Sequence, residues 1–268
     1  MADLKPNTES ASNSTSFFPI GRSEDLWMRR FYSGGLATFA YLNMHLFNRT
    51  RVIGAENLNR LVRREDRGLL TVSNHVSGLD DPCILAAIMP FHLIAELESL
   101  RWTLCATDRC FSSKFWAHIF PHVKCVPLIR GAGIDQPLMN MAIDLLKAKH
   151  WLNMFPEDTR SDDGIIKKFK IGVGRLIAES EPSPYVVPIL HRGMHRMLPL
   201  GTRIPRFGNK IDIIVGEVMV FDDLIAQYRN SGRPEVELYA AISAALEERV
   251  RELATQLDRR VDEQEVCT

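Results

Sequence analysis

The sequence predicts an α/β fold: one domain built on a central mixed sheet flanked by helices, with an N-terminal interfacial helix and a C-terminal amphipathic helix. Three observations predict it. Short apolar runs of strand length alternate with stretches of helical periodicity. At 268 residues and 46% hydrophobic, the chain can bury a full core, and its length suits a single α/β domain. Near the C-terminus Leu238, Ile242, Leu246, Val250, Leu253, Leu257 and Val261 recur at helical spacing amid Glu and Arg, the pattern of a helix with one apolar face.

Residues 1–24 are rich in Ser, Thr and Asn, with neither the apolar core of a secretory signal nor the arginines of a matrix transit peptide. They predict a disordered polar tail. From Phe31 to Asn48 no residue is charged, while Arg29 and Arg30 precede the stretch and Arg51 follows it. A bilayer span needs about 20 predominantly apolar residues, and Ser33, Gly34, Gly35, Asn43, His45 and Asn48 interrupt this one. A helix within 25–50 therefore either lies in the membrane interface, with Phe31, Tyr32, Phe39, Tyr41 and Phe47 at headgroup level, or packs on the soluble core.

Strands are expected at Leu69–Ser73, Lys124–Ile129, Trp151–Phe155, Tyr185–Leu190 and Ile211–Gly216. Helices are expected near Pro82–Met89, Ser112–Phe120, Pro137–Lys149, Ile166–Glu179 and 235–263. The apolar run Cys83–Ala95 is too short to cross a bilayer and reads as a buried helix. The mixed charges on the polar face of the last helix favour packing on the domain or self-association into a homo-oligomer over membrane binding.

Lys plus Arg and Asp plus Glu both number 33, so no global attraction to nucleic acid is implied. The five cysteines, Cys83, Cys105, Cys110, Cys125 and Cys267, include no CxxC pair and sit mostly in apolar segments. Buried free thiols are expected, not a disulfide scaffold or a zinc site.

The densest chemistry is in Ser73-Asn74-His75-Val76-Ser77-Gly78-Leu79-Asp80-Asp81-Pro82. Five residues along a regular helix turn about 500°, leaving two side chains roughly 140° apart. His75 must then precede the helix if it is to meet Asp80. Asp81-Pro82 reads as the helix start, with Asp81 at the N-cap and Pro82 at N1. A carboxylate bonded to one imidazole nitrogen fixes the tautomer, so the other nitrogen can accept a proton from a hydroxyl. The local residues leave other readings open: an ordinary loop histidine beside capping aspartates, or His75, Asp80 and Asp81 as ligands of a metal-dependent phosphoesterase.

Two further segments can reach the same edge of a sheet. The strand Lys124–Ile129 delivers Arg130, a guanidinium able to hold a phosphate with two parallel N–H bonds. After the strand at Trp151, Phe155-Pro156-Glu157-Asp158-Thr159-Arg160 offers a carboxylate, a hydroxyl and a guanidinium in one turn, with Lys167, Lys168 and Lys170 beyond.

These residues resemble the motifs of the glycerolipid acyltransferase family. The His75–Asp80 segment is similar to its first motif, Arg130 to the end of its second, Phe155-Pro156-Glu157 to the core of its third and Val187-Pro188-Ile189 to its fourth. The likeness extends through Arg101-Trp102-Thr103, Phe169-Lys170, Gly174–Glu179 and Pro205-Arg206-Phe207-Gly208. It covers about residues 69–220, in order and with similar spacing. Two departures are visible: Asp158 stands where the third motif has Gly, and Val123 where the second motif begins with Gly.

The resemblance implies one acyltransferase domain over 51–268. It implies a membrane-surface enzyme that needs no cofactor and moves acyl chains between phospholipids and lysophospholipids, cardiolipin among them. His75 and Asp80 are its expected base and orienting carboxylate. Arg130 is expected on a lipid phosphate, Glu157 on a glycerol hydroxyl or Arg160, and Thr159 and Arg160 on substrate. The implied location is a mitochondrial membrane, facing the intermembrane space. A related enzyme using an acyl-CoA donor and a catalytically silent lipid-binding protein are the alternatives within the resemblance.

Overall fold

A computed structural model describes residues 26–96, 100–107, 114–129, 131–157, 159–161, 164–202 and 204–266. The tail 1–24, Arg130, Asp158, Cys110 and Cys267 lie outside them. The chain runs through α1 (Leu26–Leu42), a π-helical turn (Asn43–Phe47), β1 (Arg49–Ile53), α2 (Ala55–Asn59), β2 (Leu69–Ser73), α3 (Asp80–Ile88), α4 (Phe91–Ala95) and β3 (Trp102–Ala106). It continues with α5 (Lys114–Ile119), a 3-10 turn (Phe120–Val123), β4 (Cys125–Leu128), α6 (Pro137–Lys147), β5 (Trp151–Met154), α7 (Gly172–Glu179), β6 (Tyr185–Arg192) and α8 (Met194–Met197). The last elements are β7 (Lys210–Val215), α9 (Asp222–Asn230) and α10 (Glu235–Val266).

The strands form one seven-stranded sheet in the order β1-β7-β6-β2-β5-β3-β4. All neighbours are parallel except β6 and β7, so the sheet is mixed, as expected. Alternate residues of the central strand β2 point to opposite faces. Leu70 and Val72 join a core with Ile143 of α6, Leu176 of α7 and Leu246 of α10. Leu69 joins a second core with Ala40 of α1 and Leu85 of α3 on the other face. β2 is buried along its whole length, which explains why its Leu-Leu-Thr-Val-Ser sequence carries no charge and its Thr71 hydroxyl is bonded to Asn153.

The C-terminal helix packs on the domain, with Leu238, Ile242, Leu246, Val250, Leu253 and Leu257 buried in the first core; the Val261 side chain lies outside the described ones. Gly174 permits the closest approach. A Cβ there would lie 2.0 Å from the Tyr239 carbonyl oxygen, so any larger residue would push α7 away from α10. Among the described residues no helix is long and apolar enough to cross a membrane.

Three expectations are corrected. The helix expected from Ile166 begins only at Gly172. The amides before it make tertiary bonds instead: Lys167 to Glu157 Oε2 at 3.1 Å, Phe169 to Glu247 Oε2 at 2.8 Å and Lys170 to the Pro156 carbonyl at 2.9 Å. Asp81 does not cap α3; its own backbone is extended and its carboxylate is drawn away by Arg101 and the Thr103 hydroxyl. Cys105 is disulfide-bonded, where buried free thiols were expected, and it lies toward the half-buried end of β3. Cys83 and Cys125 are free and buried. Burial pushes the Cys83 thiol up to about 12 and that of Cys125 up to about 11, so neither is a thiolate nucleophile near neutrality.

Candidate active site

The three central parallel strands β6, β2 and β5 end side by side at one edge of the sheet. In open α/β sheets the crevice beyond the carboxyl ends of the strands is where ligands bind. β2 leads into Asn74 and His75, β5 into Phe155 and Glu157, and β6 ends in His191 and Arg192. Side chains distant in sequence are thereby brought together.

His75 Nδ1 lies 2.8 Å from Asp80 Oδ2. The same oxygen accepts the amide of Val76 at 2.7 Å and that of Ser77 at 2.8 Å. The carboxylate thus closes the turn between β2 and α3 around itself while it faces the imidazole. With Nδ1–H donated to Asp80, Nε2 carries the lone pair. The Phe155 ring stacks on the imidazole, with centroids 4.2 Å apart and planes inclined by 17°. Asp80 is fully buried and the His75 side chain is 20% exposed, so the pair opens to solvent on the histidine side.

Glu157 occupies a different place from the one its sequence suggests. It is buried, and its two oxygens accept the His75 amide and the Lys167 amide, each at 3.1 Å. Burial pushes its carboxyl up to about 7, against the opposing effect of those two amides. The carboxylate braces the turn that carries His75. Lys167 Nζ donates to Thr159 Oγ1 at 3.1 Å and to the Arg160 carbonyl at 2.8 Å. The Ser161 amide donates to the His75 carbonyl at 2.8 Å. Arg160 crosses the turn: a Cβ on Gly78 would lie 3.1 Å from one of its guanidinium nitrogens.

His191 was not legible as a site residue. It is buried at the end of β6 and clasps Asn74 three times. Its amide donates to Asn74 Oδ1 at 3.0 Å, Asn74 Nδ2 donates to its carbonyl at 3.1 Å, and its Nε2 donates to the Asn74 carbonyl at 2.8 Å. Burial lowers its pKa, which keeps the ring neutral behind Asp80. The only available signal was its position directly after the buried run Val187–Leu190.

Asp81 belongs to another network. It is held by Arg101 and Thr103, with Asn153 Nδ2 at 3.3 Å, and does not join His75 and Asp80 in a ligand set. Among the described residues no three His, Cys, Asp or Glu side chains are grouped to hold a metal ion.

Residues 49–192 match the family model described as Acyltransferase. The chain is 30% identical to tafazzin of Drosophila melanogaster over 86% of its own length and 61% of the fly protein. It is 39% identical to N-acylphosphatidylethanolamine synthase of Arabidopsis thaliana over 70% of its own length and 69% of the plant protein. Among solved structures it resembles the 1-acyl-sn-glycerophosphate acyltransferase PlsC of Thermotoga maritima, with a TM-score of 0.58 and 20% identity, over 88% of this chain and 84% of that one. That last likeness concerns the fold. With the family model spanning the sheet from β1 to the end of β6, and with relatives of this similarity, the chain belongs to the acyltransferase family, as a tafazzin-like acyltransferase.

Proposed function

We propose that this acyltransferase moves fatty acyl chains between phospholipids and lysophospholipids, cardiolipin and related lipids among them, without coenzyme A. The observation that carries the reading is the His75–Asp80 pair, 2.8 Å apart, with Oδ2 pinned by two amides and the imidazole open on one side. His75 Nε2 takes the proton of the lysophospholipid hydroxyl as that oxygen attacks the acyl carbonyl of the donor ester. The tetrahedral intermediate collapses, the donor's glycerol oxygen leaves, and it receives the proton back from Nε2. One ester bond breaks and an equivalent one forms, so no activated donor is required. Asp80 orients the ring and stabilises its charged form.

Glu157 acts as a positioning residue through the His75 amide, and Arg130, Thr159 and Arg160 serve the lipid headgroup. The exposed aromatic face of α1 would rest in the membrane interface. The relatives named tafazzin support a mitochondrial membrane as the place of action, and the reading puts the enzyme on the intermembrane-space side of it.

The test is incubation of the purified protein with acyl-labelled phosphatidylcholine and monolysocardiolipin in the absence of coenzyme A. Label should enter cardiolipin. His75→Ala should lower the rate by about 10²–10⁴, the usual contribution of a positioned base, while leaving the thermal unfolding transition in place. Absence of label with wild-type protein would remove the reading. The plant relative's name favours a second acceptor, the amine of phosphatidylethanolamine. The same base could serve an ammonium, and an alkali-resistant labelled amide would identify that product.

A further inference from the structure

The turn carrying His75 meets two walls, the Arg160 segment and the segment after α8, and the reaction as proposed uses only the first. Both stand beside Gly78: a guanidinium nitrogen of Arg160 lies 3.1 Å, and a Leu198 methyl 3.5 Å, from where a Cβ would be. Ser77 Oγ donates to the Leu198 carbonyl at 3.2 Å, so the segment after α8 is bonded directly to the catalytic turn. Beyond it opens a cavity of about 560 Å³ whose lining includes Val76, His195, Arg196, Arg206 and Asn209. Val76 is the residue after His75, and its amide is one of those pinning Asp80.

The cavity is cationic, and its charge is uncompensated. Among the described residues neither Arg196 nor Arg206 forms an ion pair, whereas nearby Arg192 is held by Asp258 and Arg251 by Glu247. The two arginines are also fixed relative to each other. The Arg206 amide donates to the carbonyl of Met197, next to Arg196, at 2.7 Å, and Asn209 Nδ2 donates to the Arg206 carbonyl at 2.7 Å. Asn209 is in turn held by Asn48 Oδ1. Burial, and then the charge of Arg196, lower the pKa of His195, which makes it a neutral hydrogen-bonding wall.

The outer rim is apolar. Ile204 is 80% exposed and Leu200 and Phe207 are exposed beside it. Phe207 packs on Phe47, 5.1 Å between ring centroids, at the end of the π-helical turn that follows α1. Apolar side chains outside and two bidentate cations just within reproduce the depth profile of a phospholipid, with chains in the bilayer and phosphate at its surface.

We infer that this cavity binds a second phosphodiester of the lipid substrate. A lipid with one phosphate can satisfy one wall only. A lipid with two phosphodiesters joined through a glycerol spans the His75 turn and engages both. The inference rests on the proposed phospholipid reaction, and it assigns Arg196 and Arg206 as residues that favour two-phosphate substrates.

The experiment compares wild type with Arg196→Gln, Arg206→Gln and the double variant, in neutral detergent micelles of fixed composition. Acyl transfer from phosphatidylcholine is measured to monolysocardiolipin and to lysophosphatidylcholine. The ratio of the two kcat/KM values should fall about tenfold in each single variant and further in the double, with the change in KM for monolysocardiolipin. An unchanged ratio, or an equal loss for both acceptors, overturns the assignment. Inorganic phosphate should compete with monolysocardiolipin in wild type and less so in the double variant. If only that sensitivity disappears while the acceptor ratio stays, the cavity is a free-phosphate site and the lipid assignment is overturned. Should wild type transfer to neither acceptor, the transacylase reading fails by itself. The cavity is then judged by binding of fluorescent monolysocardiolipin, which the double variant must bind at least tenfold more weakly than wild type; equal affinity overturns it.

Discussion

The two oxygens of Asp80 have unequal surroundings: Oδ2 receives the imidazole and two amides, while Oδ1 is buried without a hydrogen bond, 3.9 Å from His191 Nε2. One oxygen therefore both builds the turn and orients the imidazole, which is how a histidine and an aspartate five residues apart come to meet. That local relation was legible in the sequence. The roles of Glu157 and His191 were not, because their partners are His75 and Asn74, some eighty and more than a hundred residues away, and only the sheet order joins them. Glu157 supplies a test at this scale. Its carboxyl rises from an ordinary 4.5 to about 7 because burial opposes the charge. Between those values the folded protein holds a proton that the unfolded chain has released, so stability falls as pH rises through the interval and levels off above it. Thermal melts of wild type and Glu157→Gln between pH 5 and pH 8 should show the wild type losing stability relative to the variant as pH rises. Parallel curves would rule out the buried titration.

At the scale of elements, β2, β4, β5, β6 and β7 were legible from apolar runs, and β1 and β3 were not. β1 reads Arg-Thr-Arg-Val-Ile, lies on the edge of the sheet and is only partly covered, so its polarity merged with the end of the preceding helix. β3 begins beside Arg101, and a buried arginine in front of a strand hides the strand's apolar character. The structure explains the arginine. It closes a polar path under the sheet in which Trp151 Nε1 donates to Thr71 Oγ1 at 3.1 Å, Thr71 donates to Asn153 Oδ1 at 2.8 Å, and Asn153 reaches Asp81. Arg101 completes it by pairing with Asp81, which ties the start of β3 to the first turn of α3. Removing one partner of a buried ion pair leaves an uncompensated charge and costs about 3–5 kcal/mol. Arg101→Ala should therefore lower the urea midpoint by a corresponding amount, and Asp81→Ala added to it should cost much less than a second such loss. Additive losses in that double-mutant cycle would mean that the two residues act separately.

The molecule as a whole is asymmetric across the sheet edge that carries His75: one flank is bound tightly to the sheet, the other carries apolar side chains in water. Ala37, Ala40 and Met44 bury one face of α1 and its π-helical extension in the second core. The opposite face leaves Trp27 66% and Phe31 70% exposed, followed by Phe39, Leu42, Leu46 and Phe47. Such an apolar row, continued by Phe207 and Ile204 at the rim of the cationic cavity, exceeds what scattered surface hydrophobes require. In the proposed reaction this row seats shallowly on the membrane, an arrangement that would let a lipid's carbonyl reach His75 while its chains stay in hydrocarbon. Ionic attraction alone would not hold a chain of zero formal net charge. On that proposal the apolar row supplies the binding energy. Trp27→Ser combined with Phe31→Ser should reduce co-sedimentation with phosphatidylcholine vesicles at least tenfold. Each exposed ring contributes little to folding, so the unfolding transition should move by no more than about 0.5 kcal/mol per site. Transfer measured in detergent micelles should fall far less than transfer on vesicles, because micelles bring substrate to the site without the bilayer docking step. Undiminished sedimentation of the double variant would take the membrane contact away from α1.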